Sequence, residues 1–386
     1  MKKRVLAATG AAGVLLCTSV ALAVGGGAND PLVSKGYVDG TYTTQAVAQA
    51  ENRINQRYDN LYADAEDKLK EKHDSYLTQL GNNPSGGASP SGDSYQAAFQ
   101  DIRVKQGDTI RVEAGSGFLL LAGSGNLSCT GKKAIDLSSG WEQGSGALTG
   151  GRRYLVAEDT VAAITVTSPT AVLSLEGYYT LIESDRTDYN ALADALRIMG
   201  LFQGSGTGHG SGYDLEQAPT RIQGLIMFLR LIGEEKDALS TTAACPFTDV
   251  PAWCQSYVAY AYEKGYTKGM DEVAKRFGTN DTMTAKQYVT FLLRALGYSE
   301  SGENPDFTWD NVFQRSVELG ILTEGERQAL ESGTFLRAHV VYLSYFALDA
   351  VQKDGSGTLQ ERLVAAGVMD QAVVITVRAG VKVSRL

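Results

Sequence analysis

The sequence predicts a multidomain α + β protein with an N-terminal coiled-coil-like helix, a small all-β domain and an all-α domain of three repeats. Three patterns support this prediction. Apolar residues recur three or four positions apart in residues 44–80. Short alternating apolar runs separated by glycine clusters occupy residues 95–182, and a helix–turn–helix pattern occurs three times in residues 183–353. These periods are typical of an amphipathic helix, of β-strands and of a helical repeat, respectively.

The N-terminal leader, residues 1–23, is predicted to be a secretory signal peptide. Three cations at positions 2–4 precede an apolar run over residues 5–20, and the small-residue triplet 21–23 is typical of a signal-peptidase site. The run is shorter than the about 20 apolar residues that a membrane-spanning helix requires, and no later stretch reaches that length. We therefore expect a secreted chain that is located at the cell wall or cell surface and has no transmembrane segment after removal of the leader.

The charge of the chain argues against nucleic acid and anionic membranes as partners. The full sequence has a formal net charge of −9, and loss of the three leader cations makes it −12. Phosphate backbones and anionic lipid surfaces repel a protein of this charge. The expected partners are therefore neither nucleic acids nor anionic membranes.

Three cysteines remain after removal of the leader, namely Cys129, Cys245 and Cys254. Export to an oxidising compartment allows a disulfide between Cys245 and Cys254, whose spacing would close a small loop. Three cysteines do not form a disulfide framework, so reduced thiols fit the sequence equally well.

Three segments connect the leader to the first globular domain. Residues 24–43 are glycine-rich and predict an extended arm, and residues 81–94 have the composition of a flexible linker. Between them, residues 44–80 predict a helical stalk with one apolar stripe, formed by Ile54, Tyr58, Leu61, Ala65, Leu69, Tyr76 and Leu80. An apolar stripe needs a covering surface. We favour self-association into a homo-oligomer through a short coiled coil, and the alternative is packing of the helix on the next domain.

Residues 95–182 predict a small all-β domain. Pairs such as Ile102 and Val104 alternate with polar residues, and glycine clusters separate the runs. The aromatic and basic residues of this domain could contact a sugar, although core and edge positions are the simpler interpretation; they are Trp141, Arg152, Arg153 and Tyr154.

Residues 183–353 contain three copies of one helical pattern. In each copy a first helix ends at a glycine and a loop leads to a second helix. The segments with the first helix and its glycine-ended turn are 191–204, 253–269 and 309–325, and those of the second helices are 219–233, 283–297 and 335–348. Gly200, Gly265 and Gly320 occupy the position where a helix stop needs positive φ. One copy cannot bury its apolar faces alone, so the three copies should share a core.

Two of these segments resemble the S-layer homology repeat. Residues 247–269 begin with FTDVPAW, which is similar to the F-[ST]-D-V-P element that opens such a repeat before its first helix. The second helix at 219–233 begins with PTR, which is similar to the family's Thr-Arg-Ala-Glu type motif. The resemblance covers roughly 165 residues. The stalk and the β domain also resemble modules found beside such repeats in secreted proteins of Gram-positive, clostridia-like bacteria.

The resemblance implies a three-repeat pseudo-trimer that binds an anionic secondary cell-wall polysaccharide, or a peptidoglycan-linked glycan, in grooves between the repeats. Arginine just inside a helix N-terminus would add a cation to unpaired backbone donors, and tryptophan would offer a face for a sugar ring. In the second copy Ala285 replaces the arginine, so at most two grooves retain it. The predicted glycan-binding residues are Thr220, Arg221, Asp249, Trp253, Thr284, Trp309 and Arg337.

The sequence offers little support for catalysis, and we predict no cofactor and no metal site. His73, His209 and His339 lie in separate modules without a local nucleophile or metal-ligand spacing. The sequence therefore predicts a non-catalytic surface protein held non-covalently to the wall by its repeats. One alternative is a structural or adhesive protein whose β domain is the working part and whose repeats have lost glycan binding. A third interpretation is an exported carbohydrate-active enzyme, which would require paired carboxylates.

The C-terminal segment, residues 354–386, follows the repeats. Residues 358–369 predict a short closing helix, and the alternating apolar residues at 371–383 predict a pair of strands.

Overall fold

A computed structural model describes residues 45–49, 95–206, 209 and 212–386. Residues 45–49 are helical. The predicted leader, arm and linker, and the stalk apart from these five residues, lie outside the described residues. The described part combines antiparallel sheets with helices, which confirms the mixed α + β character of the chain.

The strands of the described part all lie between residues 96 and 182. They are β1 (Gln96–Lys105), β2 (Thr109–Val112), β3 (Gly117–Ala122), β4 (Gly125–Gly131), β5 (Ala134–Asp136), β6 (Trp141–Gln143), β7 (Ser145–Ala147), β8 (Arg153–Val156), β9 (Thr160–Val166), β10 (Thr170–Gly177) and β11 (Tyr179–Ile182). A six-stranded sheet has the order β1-β10-β3-β8-β5-β6, and a five-stranded sheet has the order β11-β2-β9-β4-β7.

Apolar side chains from both sheets form one core. Ile110 and Ile164 of the five-stranded sheet are fully buried with Phe118, Tyr154 and Leu173 of the six-stranded sheet. The rings of Phe118 and Tyr154 stack with centroids 5.0 Å apart. Burial on one face is the reason that these strands alternate between apolar and polar residues.

The helices of the described part begin after the last strand. They are α1 (Tyr189–Ile198), α2 (Arg221–Leu231), α3 (Glu235–Ser240), α4 (Gln255–Glu263), α5 (Ala285–Ala295), α6 (Val312–Glu318), α7 (Glu324–Glu331), α8 (Arg337–Ala347), α9 (Leu359–Ala365) and α10 (Gln371–Gly380), with a short 3₁₀ helix (Ala252–Cys254) before α4. Buried residues from all three copies and from α9 and α10 belong to one apolar cluster.

The glycine-ended first helices are confirmed. Gly200, Gly265 and Gly320 have φ angles of 79°, 74° and 70°, which place them in the left-handed region. The second helices α2, α5 and α8 lie within the three segments predicted for them. The short helix α3 lies in a connection of the repeat pattern, and α7 begins at the end of the segment 309–325 and continues into the connection after it.

The predicted strand pair at residues 371–383 is wrong, because residues 371–380 form the helix α10. The Asp370 carboxylate accepts hydrogen bonds from the backbone N–H groups of Ala372 and Val373 and thereby caps the helix. Val374 and Val377, three positions apart, are buried against the helical core. Packing of this face overrides the strand preference of the β-branched residues.

Polar contacts join β1 to α1, the first helix of the repeats. The Arg103 guanidinium lies 2.7 Å from the Asp194 carboxylate and 4.6 Å from the ring centroid of Tyr213. The Tyr213 hydroxyl also donates to Asp194 at 2.7 Å, and the side-chain amide of Asn190 donates to the Val104 carbonyl at 3.3 Å. The end of β1 is thus fixed to the first copy.

Residues 381–386, which we name the C-terminal strap, return to the third copy. Arg385 donates to both carboxylate oxygens of Glu326, at 2.8 and 2.6 Å. Glu326 is only 1% exposed and also accepts from the Tyr342 hydroxyl and the Thr323 backbone N–H. The strap therefore supplies the cation that this buried carboxylate requires.

Candidate ligand-binding cleft between the repeats

One cleft of about 220 Å³ is lined by residues from all three copies. Arg221 begins α2 of the first copy, Phe291 and Arg294 lie on α5 of the second copy, and Trp309 precedes α6 of the third copy. The rest of the lining comes from the second copy, namely Gly269, Met270, Gln287 and Thr290.

The close approach of α2 and the segment before α5 positions this cleft. Gly224 of α2 faces Met283, and a Cβ atom at position 224 would lie 2.1 Å from the Met283 sulfur. A larger residue at position 224 would therefore have to displace the end of the Met283 side chain. The backbone N–H of Met283 also donates to the Pro219 carbonyl at 2.9 Å, which fixes the start of α5 beside the start of α2.

Arg221 is a buried cation without an acidic partner. It is 5% exposed, and no carboxylate in the described part of the chain forms a salt bridge with it. Its guanidinium lies 5.0 and 5.5 Å from the ring centroids of Phe277 and Phe291, and Nη2 donates to the Thr267 hydroxyl at 3.3 Å. Its buried Nε has no hydrogen-bond partner among the described residues.

Burial and the neighbouring Arg294 guanidinium lower the pKa of Arg221 to about 10. The side chain is therefore still charged at neutral pH. A desolvated cation with unused donors favours an anion that enters the cleft, because charge-assisted hydrogen bonds are strongest where water is excluded.

The second cleft arginine, Arg294, is already paired. Its Nε donates to Glu300 at 3.1 Å, its Nη2 donates to the other oxygen of the same carboxylate, and its Nη1 donates to the Tyr266 carbonyl at 2.6 Å. Lys268 lies 2.9 Å from Glu300 as well. Glu300 thus neutralises much of the positive charge of Arg294 and Lys268.

Trp309 forms the aromatic wall of the cleft. It is 52% exposed, and the Lys286 ammonium lies 5.8 Å from its ring centroid. An exposed indole beside a buried guanidinium can bind a ligand that has an apolar ring face and an acidic group.

The prediction of unpaired backbone donors beside the arginines is wrong. The N–H groups of Arg221 and Ile222 donate to the carbonyls of Asp281 and Thr279, at 2.8 and 3.2 Å. The N–H of Arg337 likewise donates to the Gln217 carbonyl at 2.8 Å. A loop from the neighbouring copy satisfies these helix ends, so any anion in the cleft would meet side chains instead.

The structure brings two of the seven predicted residues together, Arg221 and Trp309. Thr220 and Thr284 are N-caps of α2 and α5, and each forms a reciprocal capping box with the glutamine three positions later. Trp253 is 63% exposed in the 3₁₀ helix and does not line the cleft.

Asp249 and Arg337 occupy structural positions. The Asp249 carboxylate accepts from the backbone N–H groups of Phe277 and Gly278, both at 2.7 Å. Burial alone would raise the pKa of Asp249, but these bonds keep it below the ordinary value. Arg337 is 6% exposed and its Nε donates to the Tyr213 carbonyl at 3.0 Å.

The sequence contained one unused signal for Arg294. Arg230 in the first copy and Arg294 in the second occupy the same position of the second helix, and each is followed by an acid, Glu235 or Glu300. Both pairs form ion pairs in the structure. A basic residue repeated on a helix that is otherwise mostly apolar at its C-terminal end could have indicated a site residue.

The three cysteines of the described part, Cys129, Cys245 and Cys254, are free. Of the two alternatives for Cys245 and Cys254, the structure therefore has the reduced one. The Cys254 thiol is buried and donates to the Pro251 carbonyl at 3.4 Å. Burial raises the pKa of both thiols, which keeps them protonated.

His339 replaces the capping glutamine in the third copy. Its Nδ1 accepts the Leu336 backbone N–H at 2.9 Å, and its ring contacts Phe335 and Tyr189 at centroid distances of 5.9 Å. Burial lowers the pKa of His339 to about 4. Protonation of Nδ1 would also remove the acceptor of the capping bond.

We expect His339 to make the fold acid-sensitive. The unfolded chain takes up this proton near pH 6.5 and the folded chain only near pH 4. This contribution to the free energy of unfolding is therefore complete well above pH 6.5, and about 3 kcal/mol of it is lost by the time the pH has dropped to 4. The control is His339→Gln, which restores the glutamine of the other two copies and should remove this part of the pH dependence in urea denaturation. If the stability of the unaltered chain and that of His339→Gln depend on pH in the same way, His339 is not the source of the acid sensitivity.

Two further observations concern metal sites and membrane spans. The described residues contain no group of three or more His, Cys, Asp or Glu side chains that could hold a metal ion. Among the same residues, every helix is too short or too polar to cross a membrane.

Comparison with known proteins identifies no relative. No protein-family model and no curated protein matches the chain. Among solved structures, the coconut allergen cocosin aligns at 13% identity and a TM-score of 0.11, over 29% of this chain and 37% of the cocosin chain. A single-residue variant of apo ToxT from Vibrio cholerae aligns at 10% identity and a TM-score of 0.14, over 74% of this chain and 100% of that one. Similarity this low supports no conclusion about fold or function.

Proposed function

We propose that the chain is a non-catalytic, exported surface protein that attaches non-covalently to the bacterial cell wall by binding an anionic secondary wall polysaccharide. The observation that carries this proposal is the cleft lined by both the buried Arg221, which has no salt bridge among the described residues, and the exposed Trp309. The S-layer-like motifs at residues 219–233 and 247–269 support the same ligand class.

The chemistry of the cleft suits one acidic sugar of a longer polymer. Arg221 would donate to the acidic group of the sugar, and the Trp309 indole would pack on its ring. The volume of about 220 Å³ is close to that of one monosaccharide, so the remainder of the polymer would lie outside the cleft. Reversible attachment would gain avidity if residues 44–80 associate several chains, because each further cleft would then bind at a high effective concentration.

Cosedimentation with purified wall sacculi tests this proposal. The chain from residue 24 onward should sediment with intact sacculi and should lose at least about tenfold of its affinity after chemical removal of the secondary polymer. The polymer is the only component that differs between the two preparations. Equal binding to intact and stripped sacculi would contradict the proposal.

A second candidate function uses the β domain as the binding part. Trp141 is 76% exposed on β6, which is an outer strand of the six-stranded sheet, and an exposed tryptophan at a sheet edge is a potential contact for a partner. Trp141→Ala should leave wall sedimentation unchanged under the first proposal and should abolish it under this one.

A further inference from the structure

We infer that Glu300 determines the ligand charge that the cleft accepts, so that the cleft favours a sugar with one singly charged carboxylate over a sugar with a doubly charged phosphate. Glu300 is not part of the cleft lining and would act through Arg294 and Lys268. The inference rests on the proposed function, and it names a specificity-determining residue of the same site.

Glu300 accepts hydrogen bonds from Arg294 and forms a salt bridge with Lys268. Its two oxygens accept from Nε and Nη2 of Arg294, and the third group of that guanidinium donates to the Tyr266 carbonyl. The Lys268 ammonium lies 2.9 Å from the same carboxylate and 2.6 Å from the Ser301 hydroxyl. Arg294 consequently lines the cleft as a cation whose three nitrogens each already donate one hydrogen bond.

Glu300 stays ionised at any pH at which the protein would operate. Burial alone would raise the pKa of its carboxyl group, but the bonds from Arg294 and Lys268 lower it to about 2. The side chains of Arg294 and Glu300 are 13% and 18% exposed, so water screens the pair only in part. Glu300 therefore keeps its negative charge beside Arg294 at every such pH.

The balance of charge in the cleft follows from these contacts. Arg221 and Arg294 contribute two positive charges to the lining. Glu300, whose carboxylate is shared by Arg294 and Lys268, leaves Arg221 as the cation of the lining without a salt bridge among the described residues. Lys286 lies beside the Trp309 ring and does not line the cleft. A carboxylate would pair with Arg221, whereas the second charge of a phosphate would find no unpaired cation in the lining and would be repelled by Glu300.

Two sugars that share a pyranose ring test this inference. D-glucuronate has a carboxylate at C6, and D-glucose 6-phosphate has a phosphate there. Ligand-observed NMR titrations at pH 7.5 should show that the unaltered chain prefers glucuronate. In Glu300→Gln the ratio of the two affinities should shift about tenfold toward the phosphate, since one repulsive charge is removed and two cations are released.

Glu303→Gln is the matched control. It removes the same charge from an exposed residue three positions further along the chain, and it should leave the preference unchanged. A second measurement needs no substitution. The second pKa of a phosphate monoester is near 6, so glucose 6-phosphate is mostly singly charged at pH 5 and should bind the unaltered chain severalfold better there than at pH 7.5.

The outcomes separate the two proposals. Three outcomes would each overturn the role of Glu300, even if sedimentation with the wall polymer is intact. They are an unchanged preference in Glu300→Gln, no gain in affinity for the phosphate at pH 5, and failure of the unaltered chain to bind either sugar. Equal sedimentation with intact and stripped sacculi would instead refute the proposed function.

Discussion

Replacing Arg221 with glutamine should lower the affinity for wall polymer on the order of 10- to 100-fold. Arg221 is the cleft cation without a salt bridge in the described part of the chain, and its buried Nε has no hydrogen-bond partner there. Hydrogen bonds to a charged group are among the strongest that a desolvated site can offer. The loss should appear as a higher polymer concentration at half-maximal cosedimentation.

The stability of Arg221→Gln should not fall in proportion to its loss of affinity for wall polymer. The substitution removes a charge that is buried without an ion pair, and such a charge contributes little or nothing to stability. Arg221→Lys keeps the charge without the planar fork of donors and should show an intermediate affinity. Arg327→Gln, which removes a partly exposed arginine on α7, controls for net charge. If Arg221→Gln and Arg327→Gln bind wall polymer equally well, the cleft is not the binding site.

Removing the cation from the C-terminal strap should have the largest effect on stability. In Arg385→Met, Glu326 would remain buried at 1% exposure with two neutral donors, the Tyr342 hydroxyl and the Thr323 N–H. Leaving a buried carboxylate without its cation typically costs about 3–5 kcal/mol. Urea denaturation should show a clearly lower midpoint.

A double variant isolates the ion pair. Glu326→Gln removes the charge that needs Arg385, so Arg385→Met combined with Glu326→Gln should be much less unstable than the two single effects added together. Arg327→Met is a matched control, because its ion pairs with Glu324 and Glu331 are on the surface and its removal should leave the midpoint close to the unaltered value. Strict additivity in the double variant would show that the pair does not stabilise the strap.

Periodic patterns predicted the coarse structure of the chain, because each pattern is local. Alternation indicated the strands of residues 95–182, and the repeated helix–turn–helix pattern indicated α2 and α5. The prediction of strands in the tail, where residues 371–380 are helical, was wrong because Val373, Val374 and Ile375 favour strands locally. The deciding factors were the Asp370 cap and the packing of Val374 on a core formed by distant residues.

The candidate site was predictable only in part for the same reason. Arg221 and Trp309 were identified from motif and residue type. The role of Asp249 depends on backbone N–H groups 28 and 29 positions away, and the occupied helix start of α2 depends on carbonyls at Thr279 and Asp281. Contacts of this range involve chain segments that no periodicity connects.

The junction between β1 and α1 has a mechanical consequence. The strand enters the fold at Gln96 and is fixed to the repeats near its other end, through Arg103 and Val104. A pull applied ahead of Gln96 while the repeats are held at the wall would act along the axis of β1. Its backbone hydrogen bonds to β10 would then be loaded together in shear, not broken one after another. If the chain is an anchor, tension would pass through a strand ladder and an ion pair.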